Sequence, residues 1–315
     1  MEHPVSVQTL NETRAETAAM AAVETTVSKK FGGWQEYIGV TKVGITGANL
    51  FTTFVGLWLA SRGHLQVDTL SYTCLGSALV IAGACALNNY IDRDIDRRME
   101  RTRKRALVQG RLEAKAVLWL GIVLVLSGLL ALATLTTIMA SIWGLIGVFT
   151  YVCIYTMWLK RSSPLSTAIG GIAGAAPPVI GWTAVTGQVS WTAMAVFAFL
   201  FLWQPPHFYA LAMKRTEEYR NAGIPLVPVV HGFEITKRKI LQWTIVMVPE
   251  TLLFYFLHVA GSVYGITAVV LGFLYIVYAR IGLTGTDDVA WAKRMFRYSL
   301  IYMNALFLVM IFDLV

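Results

Sequence analysis

Charged residues are scarce in this sequence: 14% of its 315 positions, against 56% hydrophobic. A soluble domain carries about a quarter charged residues, so a soluble globular fold is excluded. Cysteine is scarcer still, at three residues. Cys74, Cys85 and Cys153 all lie inside apolar runs, with no Cys-x-x-Cys and no Cys/His pairing. They read as small core residues and say nothing about redox compartment. The first 30 residues lack an apolar h-region and carry Glu2, Glu12, Glu16 and Glu24 against Arg14, before Lys29-Lys30. They resemble neither a signal peptide nor a mitochondrial transit peptide. Residues 1–36 are expected to form a disordered cytoplasmic tail, and no nucleic-acid partner is expected.

What is present is a series of apolar runs near the roughly 20 residues that cross a bilayer. Nine spans are expected, at about 40–60, 69–91, 116–136, 138–158, 166–185, 190–212, 240–259, 263–283 and 298–314. The fold class is therefore all-α: a polytopic membrane bundle of nine helices around a central cavity, filling residues 37–315. Lys and Arg concentrate in alternate loops. Segment 92–115 holds Arg93, Arg97, Arg98, Arg101, Arg103, Lys104, Arg105, Arg111 and Lys115. Lys160-Arg161, segment 213–239 and Lys293, Arg294 and Arg297 follow on the same side. The positive-inside rule places these loops and the N-terminus in the cytoplasm of a bacterial-type plasma membrane.

Two spans contain proline pairs, Pro177-Pro178 after a run of small residues and Pro205-Pro206 beside Trp203, Gln204 and His207. Proline inside a helix is expected to kink or break it. Irregular backbone at membrane depth belongs beside protein or a cavity, so both spans are expected to line the cavity.

At the end of the second span lies Asn88-Asn89-Tyr90-Ile91-Asp92-Arg93-Asp94-Ile95-Asp96. Asn88, Asp92 and Asp96 are four apart and share one helical face. The pattern reads either as a solvated helix end paired with arginines or as a Mg²⁺ site. Hard oxygens suit Mg²⁺, which is often held by one or two carboxylates plus substrate phosphates. Arg101, Arg103, Lys104 and Arg105 would neutralise phosphate charge. Asp94 points to the other face, toward an ion pair or loop contact. Glu250, mid-span, is a functional candidate by default.

The row Asn-x-x-x-Asp-x-x-x-Asp resembles the first acidic motif of the UbiA superfamily of intramembrane prenyltransferases. Three further strings resemble the branch that farnesylates protohaem: Tyr155-Thr156-Met157-Trp158-Leu159-Lys160-Arg161, the Gly-Ala-Pro-Pro stretch from Ile169 to Trp182, and Trp203-Gln204-Pro205-Pro206-His207-Phe208-Tyr209. The resemblance runs from about residue 37 to the C-terminus. Departures are Ala106 after Arg105, Ser166, Val43 after Lys42, and Glu217-Glu218-Tyr219 in place of the second Asp-x-x-x-Asp.

The resemblance implies Mg²⁺-dependent transfer of farnesyl from farnesyl diphosphate to a vinyl group of protohaem, with water added and diphosphate released. Haem is then a substrate, not a cofactor, and a downstream haem A synthase is the implied partner besides the lipid bilayer. Asn88, Asp92, Asp96 and Glu218 are the implied metal set. Arg101, Arg105, Lys160 and Lys42 are implied for diphosphate, and Asn49, Tyr155, Trp203, His207, Phe208 and Tyr209 for the haem and prenyl pocket. His207 reads equally as an iron ligand, a propionate contact or a hydrogen-bonded buried histidine. Lys42 and Asn49 also fit snorkelling or helix packing, and Lys160 a positive-inside anchor. Two other readings remain: a polyprenyltransferase for an aromatic quinone precursor, and a secondary transporter of an organic anion. The first would carry an intact second Asp-x-x-x-Asp. The second would show paired halves, and the acidic row is not repeated.

Overall fold

The computed structural model describes residues 33–315 as a helical bundle. Residues 1–32, which hold most of the expected tail, lie outside the described residues. Among the described residues the first helix is Trp34–Val40. The long helices are α1 (Val43–Ala60), α2 (Val67–Ile91), α3 (Ala114–Leu135), α4 (Ile138–Ser162), α5 (Ser166–Thr186), α6 (Trp191–Lys214), α7 (Gly232–Thr251), α8 (Ser262–Ile281) and α9 (Asp288–Phe312). Among the described residues, eight of these are long and apolar enough to cross a membrane. The exception is α7, which has the length but carries Glu234, Lys237, Arg238, Lys239 and Glu250. It begins earlier than the seventh expected span and ends at Thr251. Lys237 pairs with Asp288 at 2.7 Å, which lets this basic turn pack on the start of α9. The uncharged boundary near residue 137 is a real helix start: the Thr137 hydroxyl accepts from the Ala140 amide.

Helices approach closely where side chains are absent. A Cβ on Gly56 would lie 1.9 Å from the Pro178 carbonyl oxygen, and one on Gly181 would lie 2.0 Å from that of Thr53. The backbones of α1 and α5 therefore touch. Gly76 and Gly83 on α2 meet Gly128 and Gly121 on α3 at the same seven-residue spacing. This is the small-residue packing that drives helix association in lipid.

Neither proline pair breaks its helix: α5 runs through Pro177-Pro178 and α6 through Pro205-Pro206. Gln204 ties the two helices together, its Nε2 donating to the Gly171 carbonyl (2.8 Å) and to Leu200 within α6 (3.1 Å). As expected, both spans line a cavity, of about 410 Å³. It is bounded by α1, α2, α4, α5 and α6, not by all the helices. On its other side α6 packs against α7–α9 through a closed aromatic core of Phe199, Phe254, Tyr264, Tyr275, Tyr302 and Phe307. Beyond the deep end of the cavity, Val80, Leu132, Ala140, Ile180 and Ala184 form a hydrophobic plug. At its mouth the loop after α2 and the loop after α6 pack together through Ile95, Met99, Ile224 and Leu226.

Candidate active site

The acidic row sits where α2 gives way to the single turn Arg93–Asp96. The Asp96 amide donates to the Asp92 carbonyl (2.8 Å), so the helical path continues and the four-residue spacing is kept. Asn88, Asp92 and Asp96 line the cavity and are nearly inaccessible, which excludes a solvated helix end. Each meets a cation. Lys42 Nζ donates to Asn88 Oδ1, Lys160 Nζ to Asp92 Oδ2 and Arg105 Nη1 to Asp96 Oδ2, all at 2.5 Å. Asn88 Nδ2 donates to Asp92 Oδ2 (2.8 Å) and to Thr156 Oγ1 (2.9 Å). Buried charges demand such partners, because an unpaired one is strongly destabilising.

Asp94 points away, as its offset requires. Arg161 holds it with two hydrogen bonds of 2.7 and 2.8 Å, and that contact lowers its carboxyl to about 2.

Lys42 lies not within α1 but at a break between Val40 and Val43, with φ 51° and ψ 59°. A non-glycine residue in the left-handed region is strained, and such strain clusters at functional sites. Burial lowers its ammonium to about 8, and Arg105 and Lys160 push in the same direction against Cys85 and Asp92. Lys42 thus holds its proton less tightly than an ordinary lysine. The free-enzyme kcat/KM is expected to fall as pH rises through about 8. In Lys42→Arg that limb should vanish; an unchanged limb would assign it to another group.

The segment Thr150–Leu159 of α4 is a π-helix. In an α-helix, residues five apart point in different directions; i→i+5 hydrogen bonding brings them to one side. Tyr155 and Lys160 therefore share the cavity face. Tyr151 stacks on Tyr155, ring centroids 5.9 Å apart and 12° from parallel, and lines the cavity too. Sequence reasoning missed Tyr151, although its four-residue spacing from Tyr155 was a usable signal. It also missed Gln204, Met99 and Tyr219, which line the cavity.

The structure brings Lys42, Asn49, Asn88, Asp92, Asp96, Arg101, Arg105, Tyr155, Lys160 and Phe208 around one cavity. It does not bring four other expected residues there. Trp203 and His207, four apart, stack on each other at 4.5 Å and face α9, where Trp203 Nε1 donates to the Ser299 carbonyl and His207 Nδ1 bonds Ser299 Oγ, both at 2.7 Å. His207 is the hydrogen-bonded buried histidine. Tyr209 is buried in the aromatic core. The reason is helical phase: Gln204 and Phe208 take the cavity face, so their neighbours Trp203 and His207 cannot.

Glu218 is the fourth. It lies on the short helix Thr216–Asn221, outside the cavity lining, and accepts from the Arg101 amide (3.2 Å), which ties the two loops together. Among the described residues no three of His, Cys, Asp and Glu gather as a metal site. Glu250 is also outside the cavity, with both carboxylate oxygens lacking a hydrogen-bond partner.

The donors at the row still fit Mg²⁺. Asp92 Oδ1 is buried without a hydrogen bond. Two carboxylates and one amide oxygen are the hard set that Mg²⁺ takes together with substrate phosphate.

An all-helical membrane bundle with carboxylates and cations at the mouth of an apolar cavity suits an amphiphilic anion. The chain belongs to the UbiA prenyltransferase family, whose model matches residues 49–301. It is 50% identical over 283 residues to protoheme IX farnesyltransferase of Geobacillus thermodenitrificans, covering 88% of this chain and 91% of that protein. It is 46% identical over 289 residues to protoheme IX farnesyltransferase 2 of Bacillus subtilis, covering 88% and 92%. Among solved structures, digeranylgeranylglyceryl phosphate synthase matches with TM-score 0.77 at 18% identity, over 89% of this chain and 97% of that one. A UbiA homolog from Archaeoglobus fulgidus bound to GPP and Mg²⁺ matches with TM-score 0.62 at 16% identity, over 87% and 99%.

Proposed function

We propose that this protein transfers the farnesyl group of farnesyl diphosphate to a vinyl group of protohaem IX, adding water and releasing diphosphate. The observation that carries the reading is the row Asn88–Asp92–Asp96, ringed by Lys42, Arg105 and Lys160, at the mouth of an apolar cavity. The names of the relatives supply the acceptor. Asn88, Asp92 and Asp96 would hold Mg²⁺, whose chemistry there is to neutralise the leaving diphosphate.

The chain's own cations do the same work. As the allylic C–O bond breaks, its electron pair leaves with diphosphate, and Lys42, Lys160 and Arg105 stand where that charge grows. Their present partners are the acidic row, so each cation can turn from a carboxylate to a phosphate oxygen. Tyr151, Tyr155 and Phe208 present aromatic faces to the allylic cation. The apolar wall below them keeps water from quenching it. The terminal vinyl carbon then bonds to the prenyl C1. The cation left beside the macrocycle takes a water oxygen, and one proton is released. The product would pass to a haem A synthase.

Membranes carrying the protein, supplied with Mg²⁺, haem and labelled farnesyl diphosphate, are expected to form prenylated haem. Label in an aromatic quinone precursor, or organic-anion uptake without prenyl transfer, would overturn the reading. The protein is a multi-pass membrane protein. In the proposed orientation the basic loops, and with them the mouth of the cavity, face the cytoplasm of a bacterial plasma membrane. Cysteines introduced at Arg103 and Lys104, which are exposed, should resist impermeant thiol reagents in intact cells and react after lysis. Labelling in intact cells would reverse the topology.

A further inference from the structure

Asn89 follows Asn88 but does not line the cavity, and the mechanism above does not use it. It is buried. Its Nδ2 donates to the carbonyls of Val40 (2.7 Å) and Cys85 (3.1 Å). Its Oδ1 accepts from Arg105 Nη1 at 2.9 Å, and the same nitrogen donates to Asp96 Oδ2. The amide orientation is forced, because Arg is donor-only and backbone carbonyls are acceptor-only. Leucine, of similar shape, offers neither function, and aspartate offers only the acceptor.

The two arms reach the two sides of the acidic row. Val40 ends the helix Trp34–Val40, two residues before the strained Lys42 whose Nζ meets Asn88. Arg105 lies in an irregular loop with no regular helix to set its direction. Asn89, anchored on α2, supplies a fixed reference for both. We infer that Asn89 is a positioning residue that sets Lys42 and Arg105 on the substrate's diphosphate. The inference rests on reading this cavity as a diphosphate site.

The test is a pair of double-mutant cycles on the purified full chain, read as Kd for a non-ionisable farnesyl thiodiphosphate with Mg²⁺. Asn89→Ala, Arg105→Ala and Lys42→Ala are each expected to weaken binding by about tenfold or more. Combined with Asn89→Ala, the second substitution should cost much less than it does alone, since its cation is already misplaced. Asn89→Asp keeps the acceptor and loses both donors. In that background Arg105→Ala should keep its full cost while Lys42→Ala loses most of its own. A residue that only supports the fold would lower stability and leave the losses additive. Additive losses in both cycles, or wild-type binding by Asn89→Ala, overturn the role of Asn89. If Asn89→Ala does not accumulate in membranes, the isosteric Asn89→Asp cycle decides alone. Wild-type protein that does not bind the analogue, or Arg105→Ala and Lys42→Ala that bind it normally, would overturn the diphosphate site itself.

Discussion

Asp92→Asn should lower turnover by at least about a hundredfold, the scale of losing one pre-organised group that stabilises developing charge. The geometry explains why the loss is functional and not structural. Asp92 Oδ2 accepts from Lys160 and Asn88, and an amide oxygen can keep both contacts. What disappears is a negative charge and the free, buried Oδ1. Those are what a hard cation needs, while the hydrogen bonds from Lys160 and Asn88 survive the change. Asp96→Asn should behave alike, with Arg105 as the partner that remains. Asp94→Asn is the control. Its pair with Arg161 is largely exposed, and such pairs contribute little. It should cost less than about threefold. Turnover by each variant, with membrane insertion checked by size-exclusion of fluorescent fusions, decides the matter. Near-normal activity of Asp92→Asn would remove the metal assignment.

Gly181→Ala should prevent accumulation of folded protein or sharply lower its melting temperature. The added Cβ would meet the Thr53 carbonyl oxygen at 2.0 Å and the Leu57 amide nitrogen at 2.8 Å. Both obstacles are backbone, so no side chain can turn away. The helices α1 and α5 must part, and both wall the cavity. Overpacking usually costs about 1–3 kcal/mol, and a backbone clash sits at or above the top of that range. Gly56→Ala, 1.9 Å from the Pro178 carbonyl, should act alike. Gly47→Ala, on α1 with nothing within 4 Å of its Cβ, should be tolerated. Thermal unfolding in detergent distinguishes the three. A stable Gly181→Ala would mean that this crossing can relax.

Much of this molecule is legible in one dimension. Apolar runs parted by basic loops establish a polytopic bundle, because a bilayer imposes length and excludes charge wherever a span lies. The placement of Asn88, Asp92 and Asp96 on one face is equally local, since four-residue spacing is helical geometry. The offset of Asp94 follows from the same arithmetic.

What only the tertiary structure decided is which face of each helix looks inward. In a soluble helix an apolar stripe marks that face. Here lipid and core are equally apolar, so the pattern of residues along α6 does not say whether Trp203 and His207 or Gln204 and Phe208 meet the cavity. The rotation is set by packing: glycine contacts at α1–α5 and α2–α3, and the Gln204 bond to Gly171. The π-helical stretch that turns Lys160 toward Asp92 is a local departure whose reward lies 68 residues away in sequence. Lys42 reaches Asn88 across 46 residues, at the cost of a left-handed backbone. Glu218 accepts from the Arg101 amide and does not line the cavity. The sequence by itself therefore determined the bundle and the acidic row, through bilayer thickness and helical period. The cations that meet the row were settled by the break at Lys42, the loop that carries Arg105 and the π-helical turn before Lys160, and the aromatics that do not meet it by how α6 rotates against its neighbours.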